Sequence, residues 1–415
     1  MEAAQSNTVN EAKVPVFKNR NFLFLIIAAL FSSPGYYVYL IGAEWLMLSI
    51  TENRFYFGML FLAASIPRLL LLTAGGLIAD RFNRRTILFL SDLSRALLII
   101  VLLFFILTDS VTAVHLIVLA MLFGISDAFS YPAMNSMTPM ILAEDQLQRG
   151  NSLIQMTAQI SPILGPAVGG SLIAFLGFEG VFTVAFIMLL LSSLAVLFIR
   201  LPDQPVANEK KTPWEDLKEG FSYARKNELV IAVVILGFFL NFFISGPLSI
   251  GLPIIIKDIF QGSALNLASV EISMGIGALA GAIVLASIRL KKQGLVLLIS
   301  LILLGIFYAS IGMSANLLLV VMLVATMGFL IQLVNIPLMT MLQQTTEKRM
   351  LGRMMSFLMT VSTGLVPVSY VVTSLLLAMG VGIQVIIMVG GIIVTLIAAI
   401  NFRNKHILSF KEQKG

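Results

Sequence analysis

Long apolar segments alternate with short polar connections along almost the whole chain. Each segment reaches about 20 mainly apolar residues, the length that a helix needs to cross the hydrocarbon core of a bilayer. The pattern therefore predicts twelve membrane-spanning helices. Their approximate limits are 21–49, 55–79, 86–108, 112–138, 150–177, 179–200, 229–256, 264–289, 294–313, 315–342, 352–379 and 382–402. An even number of spans places both chain termini on the same side of the membrane.

Composition supports a membrane protein and excludes several kinds of site. Of the 415 residues, 58% are hydrophobic and 12% are charged, whereas soluble domains carry about 25% charged residues. The chain has no cysteine, which excludes disulfides and thiolate metal sites. Its two histidines, His115 and His406, are far apart in sequence, so we expect no metal and no cofactor.

Lysine and arginine are distributed unequally between the connections. The N-terminal arm, every second connection and the C-terminal tail hold 23 of the 27 basic residues, and the other connections hold only Arg54 and Lys257. Basic residues concentrate in cytoplasmic loops, so we expect a plasma-membrane protein with both termini in the cytoplasm. The same loops account for the pI near 9.5 without nucleic acid. The first span is too long for a signal peptide and eleven spans follow it, so we interpret it as a retained helix.

The only long polar stretch inside the chain, 201–228, predicts a cytoplasmic linker that is helical over 214–226. It separates two similar halves. The proline of the Tyr131-Pro132 pair in the first half recurs about 205 residues later in the Ile336-Pro337 pair. A duplicated transporter would show such a repeat. We predict an all-α membrane protein with two pseudo-symmetric six-helix bundles. Its predicted parts are an arm (1–18), a first bundle (19–200), the linker (201–228), a second bundle (229–403) and a tail (404–415).

Two motifs and three further segments carry a family resemblance. The basic connection 76–85 resembles the loop between helices 2 and 3 of major facilitator superfamily transporters. The string 165–170 in the fifth span is similar to a motif of proton-coupled exporters in that superfamily. Segments 91–96, 129–133 and 351–356 are similar to its macrolide-efflux-like branch. That branch includes exporters of macrolides, of tetracycline-like drugs and of catecholate siderophores. The resemblance therefore implies the two-bundle fold and export in exchange for protons, without naming the cargo.

The same resemblance assigns two groups of residues. Residues implied to form the cytoplasmic gate are Gly76, Asp80, Arg81, Arg84 and Arg85, where Asp80 accepts hydrogen bonds from helix N-termini or arginines. Residues implied to form the antiporter-type helix motif are Gly165, Pro166, Gly169 and Gly170, for which close helix packing is the alternative reading. Asp92 and Arg95 lie about two turns into the third span. They can pair with each other or with this loop, so we assign them to the gate.

Charged residues within the spans are the candidates for coupling, because an ionised group is costly in hydrocarbon. We predict Asp127 and Glu44 as proton carriers. The alternatives are a structural hydrogen bond for Asp127, and a cation-binding role or a headgroup position for Glu44. Arg68 needs either Glu44 or Asp127 as its partner, and an acid paired with it would be a poorer proton carrier. The alternative role for Arg68 is contact with an anionic cargo. Glu271 begins the eighth span and is either functional or simply solvated.

The cargo site is predicted near the middle of the spans. Its expected residues are Arg68, Tyr37, Asn241, Gln332 and Asn335. The leading interpretation is a monomeric secondary transporter that exports a hydrophobic or amphipathic small molecule in exchange for protons. The expected partners are this small molecule, protons and membrane lipid, with no nucleic acid. Alternatives are export of a siderophore or other metabolite, lipid flipping, and a receptor or channel. We find no constellation for an enzyme and no phosphate-binding loop for an ATP-driven pump.

Overall fold

The part of the protein that the computed structural model describes consists of helices and short connections. The structure describes residues 15–143, 146–200, 219, 221–225, 227–288, 290, 292–347, 350–403 and 405–408, and for some of these, such as 72–81, it describes the backbone only. The helices are α1 (Arg20–Ile50), α2 (Arg54–Arg81), α3 (Arg84–Leu107), α4 (Ala113–Ile141), α5 (Leu147–Leu197), α6 (Glu228–Leu240), α7 (Gly246–Ile254), α8 (Ala264–Ser287), α9 (Gln293–Gly312), α10 (Leu317–Thr345), α11 (Leu351–Gly364), α12 (Val366–Ala378), α13 (Ile383–Asn401) and α14 (Lys405–Leu408). Most of the predicted arm, linker and tail lie outside the described residues.

Twelve spans result because α5 crosses the membrane twice. Eleven helical segments of the described chain are long and apolar enough to span a bilayer, and α5 is one of them. At 51 residues it would extend about 75 Å, more than twice the hydrocarbon thickness of about 30 Å. Its backbone leaves helical geometry at Gly177, where φ is 67° and ψ is −166°. Only glycine adopts that region readily, and it lies at the predicted boundary between the fifth and sixth spans.

Polar side chains fix where several helices begin. The Asn19 side chain accepts hydrogen bonds from the backbone N–H groups of Asn21 and Phe22 and so caps α1. Asn227 caps α6, which opens the second half, in the same way. Each cap satisfies amide donors that have no partner within the first helical turn. Equivalent helices of the two halves therefore start with the same chemistry.

Two predicted spans are less regular than the hydrophobic pattern suggested. The seventh span consists of α6 and α7, joined by a π-helical turn at Asn241–Ser245 and followed by a second one at Ile255–Ile259. The predicted span 352–379 is divided between α11 and α12 at Leu365, shortly before Pro367. Proline lacks an amide donor and restricts the preceding turn, so the helix is interrupted there.

The internal repeat extends to the packing of individual residues. Helices α4 and α10 both have 29 residues and start 204 residues apart. Gly124 of α4 lies directly against the carbonyl oxygen of Ala64 on α2, and Gly328 of α10 lies against that of Met274 on α8. In both halves a glycine, 204 residues apart, lets two helix backbones approach closely.

The two halves meet along two symmetric helix pairs. Helix α5 packs on α8, and α2 packs on α12. We call the end of the bundle where α1 begins and α13 ends the terminus side, and the end that holds the connections 51–53 and 260–263 the opposite side. Gly170 of α5 packs against Ala268 of α8, and Gly58 of α2 against Ser374 of α12. These contacts lie toward the opposite side, so the halves are in close contact there.

Candidate functional site

A cavity of about 810 Å³ lies between the two halves. Its wall is formed by α1, α2, α4 and α5 of the first half and by α7, α8, α11 and α12 of the second. Tyrosines are prominent in it, namely Tyr36, Tyr37, Tyr39, Tyr131 and Tyr370. Small-molecule sites typically have volumes of about 300–1,000 Å³ and mainly apolar walls with few polar groups. The cavity therefore has the size and lining of a small-molecule site.

The predicted cargo residues are only partly brought together. Arg68 and Tyr37 line the cavity, whereas Asn241, Gln332 and Asn335 are not among its lining residues. The Asn241 amide donates a 2.9 Å hydrogen bond to the carbonyl oxygen of Gly237 one turn earlier. The side-chain amide of Asn241 thus has a hydrogen-bond partner within its own helix. This partner explains how a polar residue can lie in mid-span without facing the cavity.

Asp127 is held by two arginines. Its Oδ2 atom lies 2.8 Å from Nε of Arg68 on α2, and its Oδ1 atom lies 2.7 Å from Nη2 of Arg95 on α3. The structure therefore selects Asp127 as the partner of Arg68, the choice that the sequence left open. The Arg68 guanidinium also lies 6.0 Å from the centre of the Tyr131 ring. The two guanidinium groups therefore share one carboxylate.

Asp92 continues this network into the interior of the first half. It is fully buried and accepts hydrogen bonds from the hydroxyls of Ser32, at 2.9 Å, and Ser192, at 2.6 Å. Nη1 of Arg95 lies 3.4 Å from its Oδ1 atom. The i, i+3 pairing predicted for Asp92 and Arg95 is present. Their further contacts among the described residues are with Asp127 and these serines, so the network joins helices α1, α2, α3, α4 and α5.

Glu44 and Glu271 come from different halves and share the cavity. Glu44 on α1 is buried, with 5% of its surface exposed, and Glu271 on α8 lines the same cavity. Among the described residues, neither carboxylate has an ion-pair or hydrogen-bond partner. The sequence placed Glu271 near a surface, and folding brings it to the site of Glu44.

The string 165–170 packs beside these acids. Gly165 and Gly169 lie against Tyr37 and Ile41 of α1, and Gly170 lies against Ala268 of α8. Pro166 lines the cavity. A side chain at any of the three glycines would collide with a neighbouring helix. The motif therefore lets α5 approach both helices that carry the glutamates, as expected for small-residue packing.

The predicted gate loop is described only in part. Gly76, Asp80 and Arg81 belong to α2, but their side chains lie outside the described residues. Arg84 donates a hydrogen bond to Sδ of Met140 at 2.8 Å. The Asn83 side chain accepts from the N–H of Arg85 and caps α3. A gate at this loop stays a prediction.

The opposite side carries a contact that the sequence did not reveal. Arg54 at the start of α2 binds Asp258 of the second half through two hydrogen bonds, at 2.7 Å and 2.5 Å. Beside it, Nζ of Lys257 donates to the Ser49 hydroxyl at 3.2 Å and lies 5.6 Å from the Trp45 ring centre. Charge counting singled out Arg54 and Lys257 as the cations of this side. It gave no sign that each of them reaches across to the other half.

Known proteins share both sequence and fold with this chain. A model of the Major Facilitator Superfamily matches residues 25–369. Macrolide efflux protein A of Streptococcus pyogenes is 24% identical over 330 residues, covering 78% of this chain and 81% of that protein. The enterobactin exporter EntS of Shigella boydii serotype 18 is 25% identical over 288 residues, covering 68% of this chain and 67% of that protein.

A solved structure of a POT family transporter in complex with a thioalcohol-conjugated peptide superposes with a TM-score of 0.72 at 13% identity, covering 94% of this chain and 97% of that chain. At that identity the likeness concerns the fold alone. The family model covers most of the chain, and the helices form two six-helix bundles around a central cavity. The chain therefore belongs to the Major Facilitator Superfamily and is a multi-pass membrane transporter.

Proposed function

We propose that this transporter exports an amphipathic small molecule in exchange for protons. The observation that carries the proposal is the cavity between the halves, which combines a mainly apolar, tyrosine-rich wall with three carboxylates. An apolar wall suits the body of an amphipathic cargo, and an acid facing that cavity can take up and release protons. The efflux functions in the names of two relatives favour export over uptake.

Alternating access would use the symmetric contacts between the halves. With the terminus side in the cytoplasm, as the distribution of basic residues predicts, the contacts at Arg54 and Lys257 close the outer side. The cavity is then loaded from the cytoplasm and discharged after these contacts break. The two helix pairs between the halves supply the surfaces on which such a rocking motion takes place.

Glu44 is the stronger of the two predicted proton carriers. Asp127 forms ion pairs with two guanidinium groups, and a proton on its carboxylate would break both of these ion pairs. Glu44 has no such partner among the described residues, so a proton there disrupts no ion pair. Asp127 is then mainly an organising residue that holds α2, α3 and α4 together around the cavity.

Everted membrane vesicles test this function. After energisation acidifies their lumen, a macrolide, a tetracycline, a lipophilic cationic dye and a catecholate siderophore are added separately, while a fluorescent dye reports lumenal pH. We expect at least one compound to dissipate the proton gradient in wild-type vesicles and not in vesicles with Glu44→Gln. Glu52→Gln is the matched control, because Glu52 is exposed at the opposite side. Dissipation that is equal in wild type and Glu44→Gln would refute the assignment of Glu44, and no compound-dependent dissipation would refute the exchange of these cargoes for protons.

A further inference from the structure

Glu44 and Glu271 lie at matching depths on helices from opposite halves. Glu44 lies six residues before the end of α1 at Ile50, and Glu271 lies seven residues after the start of α8 at Ala264. At 1.5 Å per residue, the two positions are about 9 Å and about 10 Å from the opposite-side ends of their helices. Both side chains line the cavity. They therefore form one acidic site shared by the two halves.

The charge of this site is not balanced by the described protein. Arg68 is the single cation among the lining residues, and Asp127 already occupies it at 2.8 Å. Lys257, also on the opposite side, is directed to Ser49 and the Trp45 ring. A carboxylate as buried as Glu44 is costly in its ionised form unless something positive accompanies it, and it otherwise binds a proton. A ligand that displaces this proton is therefore favoured if it carries a positive charge itself.

The surrounding wall indicates an organic cation. No group of three or more His, Cys, Asp or Glu side chains suited to a metal ion occurs among the described residues, and hard metal ions require about six oxygen ligands. The wall instead offers aromatic rings, including the stacked pair Tyr39–Phe123 and the pair Phe61–Tyr370. Aromatic faces attract cations as well as apolar groups.

We infer that the cavity binds a bulky organic cation, and that the protonated amine or other cationic centre of this ligand lies between Glu44 and Glu271. This inference rests on the proposed export function and names the class of its cargo. Because α1 and α8 belong to different halves, the bound cation contacts both halves at once. Protons and cargo compete for the same two carboxylates, so binding of one releases the other and the exchange requires no second site.

Other titratable and charged groups face the same cavity and contribute to its pH response. On the elements packed around the two glutamates these are Tyr36, Tyr37 and Tyr39 on α1, Arg68 on α2, Asp127 and Tyr131 on α4, and Tyr370 on α12. Variants of the glutamates must therefore be compared with wild type over the same pH range.

Two probes of the same shape and opposite charge test the inference. Tetraphenylphosphonium and tetraphenylborate each carry four phenyl groups around a charged centre. Their binding to the purified full chain in detergent is measured by equilibrium dialysis. We expect wild type to prefer the phosphonium, and Glu44→Gln and Glu271→Gln each to weaken its binding by about 10- to 100-fold, as for loss of a charge-assisted contact. Phosphonium binding should also release protons into weak buffer from wild type and fewer from either variant.

Matched variants keep this test decisive. Glu44→Asp should retain most of the phosphonium affinity, and Glu52→Gln at the exposed opposite-side connection should bind like wild type. If the glutamine variants do not fold, the affinities of wild type for the phosphonium and for the borate are compared, and this comparison decides whether the cavity prefers a cation. Equal affinity of wild type for both probes, or unchanged phosphonium binding in folded glutamine variants, overturns the inference.

The two proposals fail separately. Charge-independent binding together with proton exchange of a neutral compound in vesicles overturns the cation site and leaves proton-coupled export standing. Glutamate-dependent phosphonium binding without any compound-driven proton flux supports the site and overturns proton-coupled export.

Discussion

Arg54→Gln should open the transporter at the opposite side. The Arg54–Asp258 pair joins the two halves through two hydrogen bonds, and its side chains are 21% and 33% exposed. Fully exposed pairs contribute about 0–1 kcal/mol. A bidentate, partly buried pair is stronger, and we assign it about 1–2 kcal/mol after discounting for solvent screening. Loss of that energy shifts the equilibrium between the closed and open states by about 5- to 30-fold.

The absence of cysteine from the chain makes this shift measurable. Ser249 lines the cavity, and Ser249→Cys introduces a single thiol with little change in shape. A membrane-impermeant maleimide added on the opposite side should label this thiol faster in the Arg54→Gln background, in proportion to the open population. Exchange of the two charges, with Arg54→Asp and Asp258→Arg together, should restore slow labelling.

The matched control is Glu52→Gln, which alters a charge in the same connection but not in the pair. Labelling that stays unchanged in folded Arg54→Gln, or that rises equally with Glu52→Gln, would refute the reasoning that this ion pair closes the opposite side.

Further predictions concern packing and the buried network. Gly124→Leu and Gly328→Leu should each lower the melting temperature and the folded yield, because the new side chain meets a backbone carbonyl of the facing helix and overpacking costs about 1–3 kcal/mol or more. Gly382→Ala, where no atom lies within 4 Å of the added carbon, should leave both unchanged, and equal losses in all three would contradict the repeat-packing argument. Asp127→Asn should lower thermal stability, since Arg95 loses its 2.7 Å carboxylate contact. If Asp127 is mainly an organising residue, any folded Asp127→Asn protein should retain compound-driven proton flux in vesicles. Complete loss of that flux in the folded variant would indicate instead that Asp127 is a proton carrier.

Hydrophobic patterning predicted the helices well because bilayer thickness sets span length directly. The boundary between the fifth and sixth spans was placed at a glycine, and Gly177 has the backbone geometry that makes the break possible. The repeat was visible from Pro132 and Pro337, and it recurs in the packing of Gly124 and Gly328. The interruption at Leu365 was missed, because the apolar pattern continues through it and a single proline is often tolerated in a membrane helix.

Side-chain partners were not determined by sequence position. Arg68 had two candidate acids, and only the packing of α2 against α4 selected Asp127. The sequence predicted Asn241 as a cargo residue because it is polar in mid-span. In the structure its side-chain amide donates a hydrogen bond to the backbone of its own helix. A sequence shows the depth of a residue along its helix, but it does not show the direction in which the side chain faces after the helices pack.

The sequence by itself determined the membrane class, the number of spans, the division into two halves and the side on which basic residues accumulate. These properties depend on local hydrophobicity and charge, which each segment expresses independently of the others. Only the tertiary structure decided that Glu44 and Glu271 share one cavity and that Arg54 reaches Asp258. The members of each pair are separated by more than 200 residues in the sequence, and they meet because the two halves pack against each other.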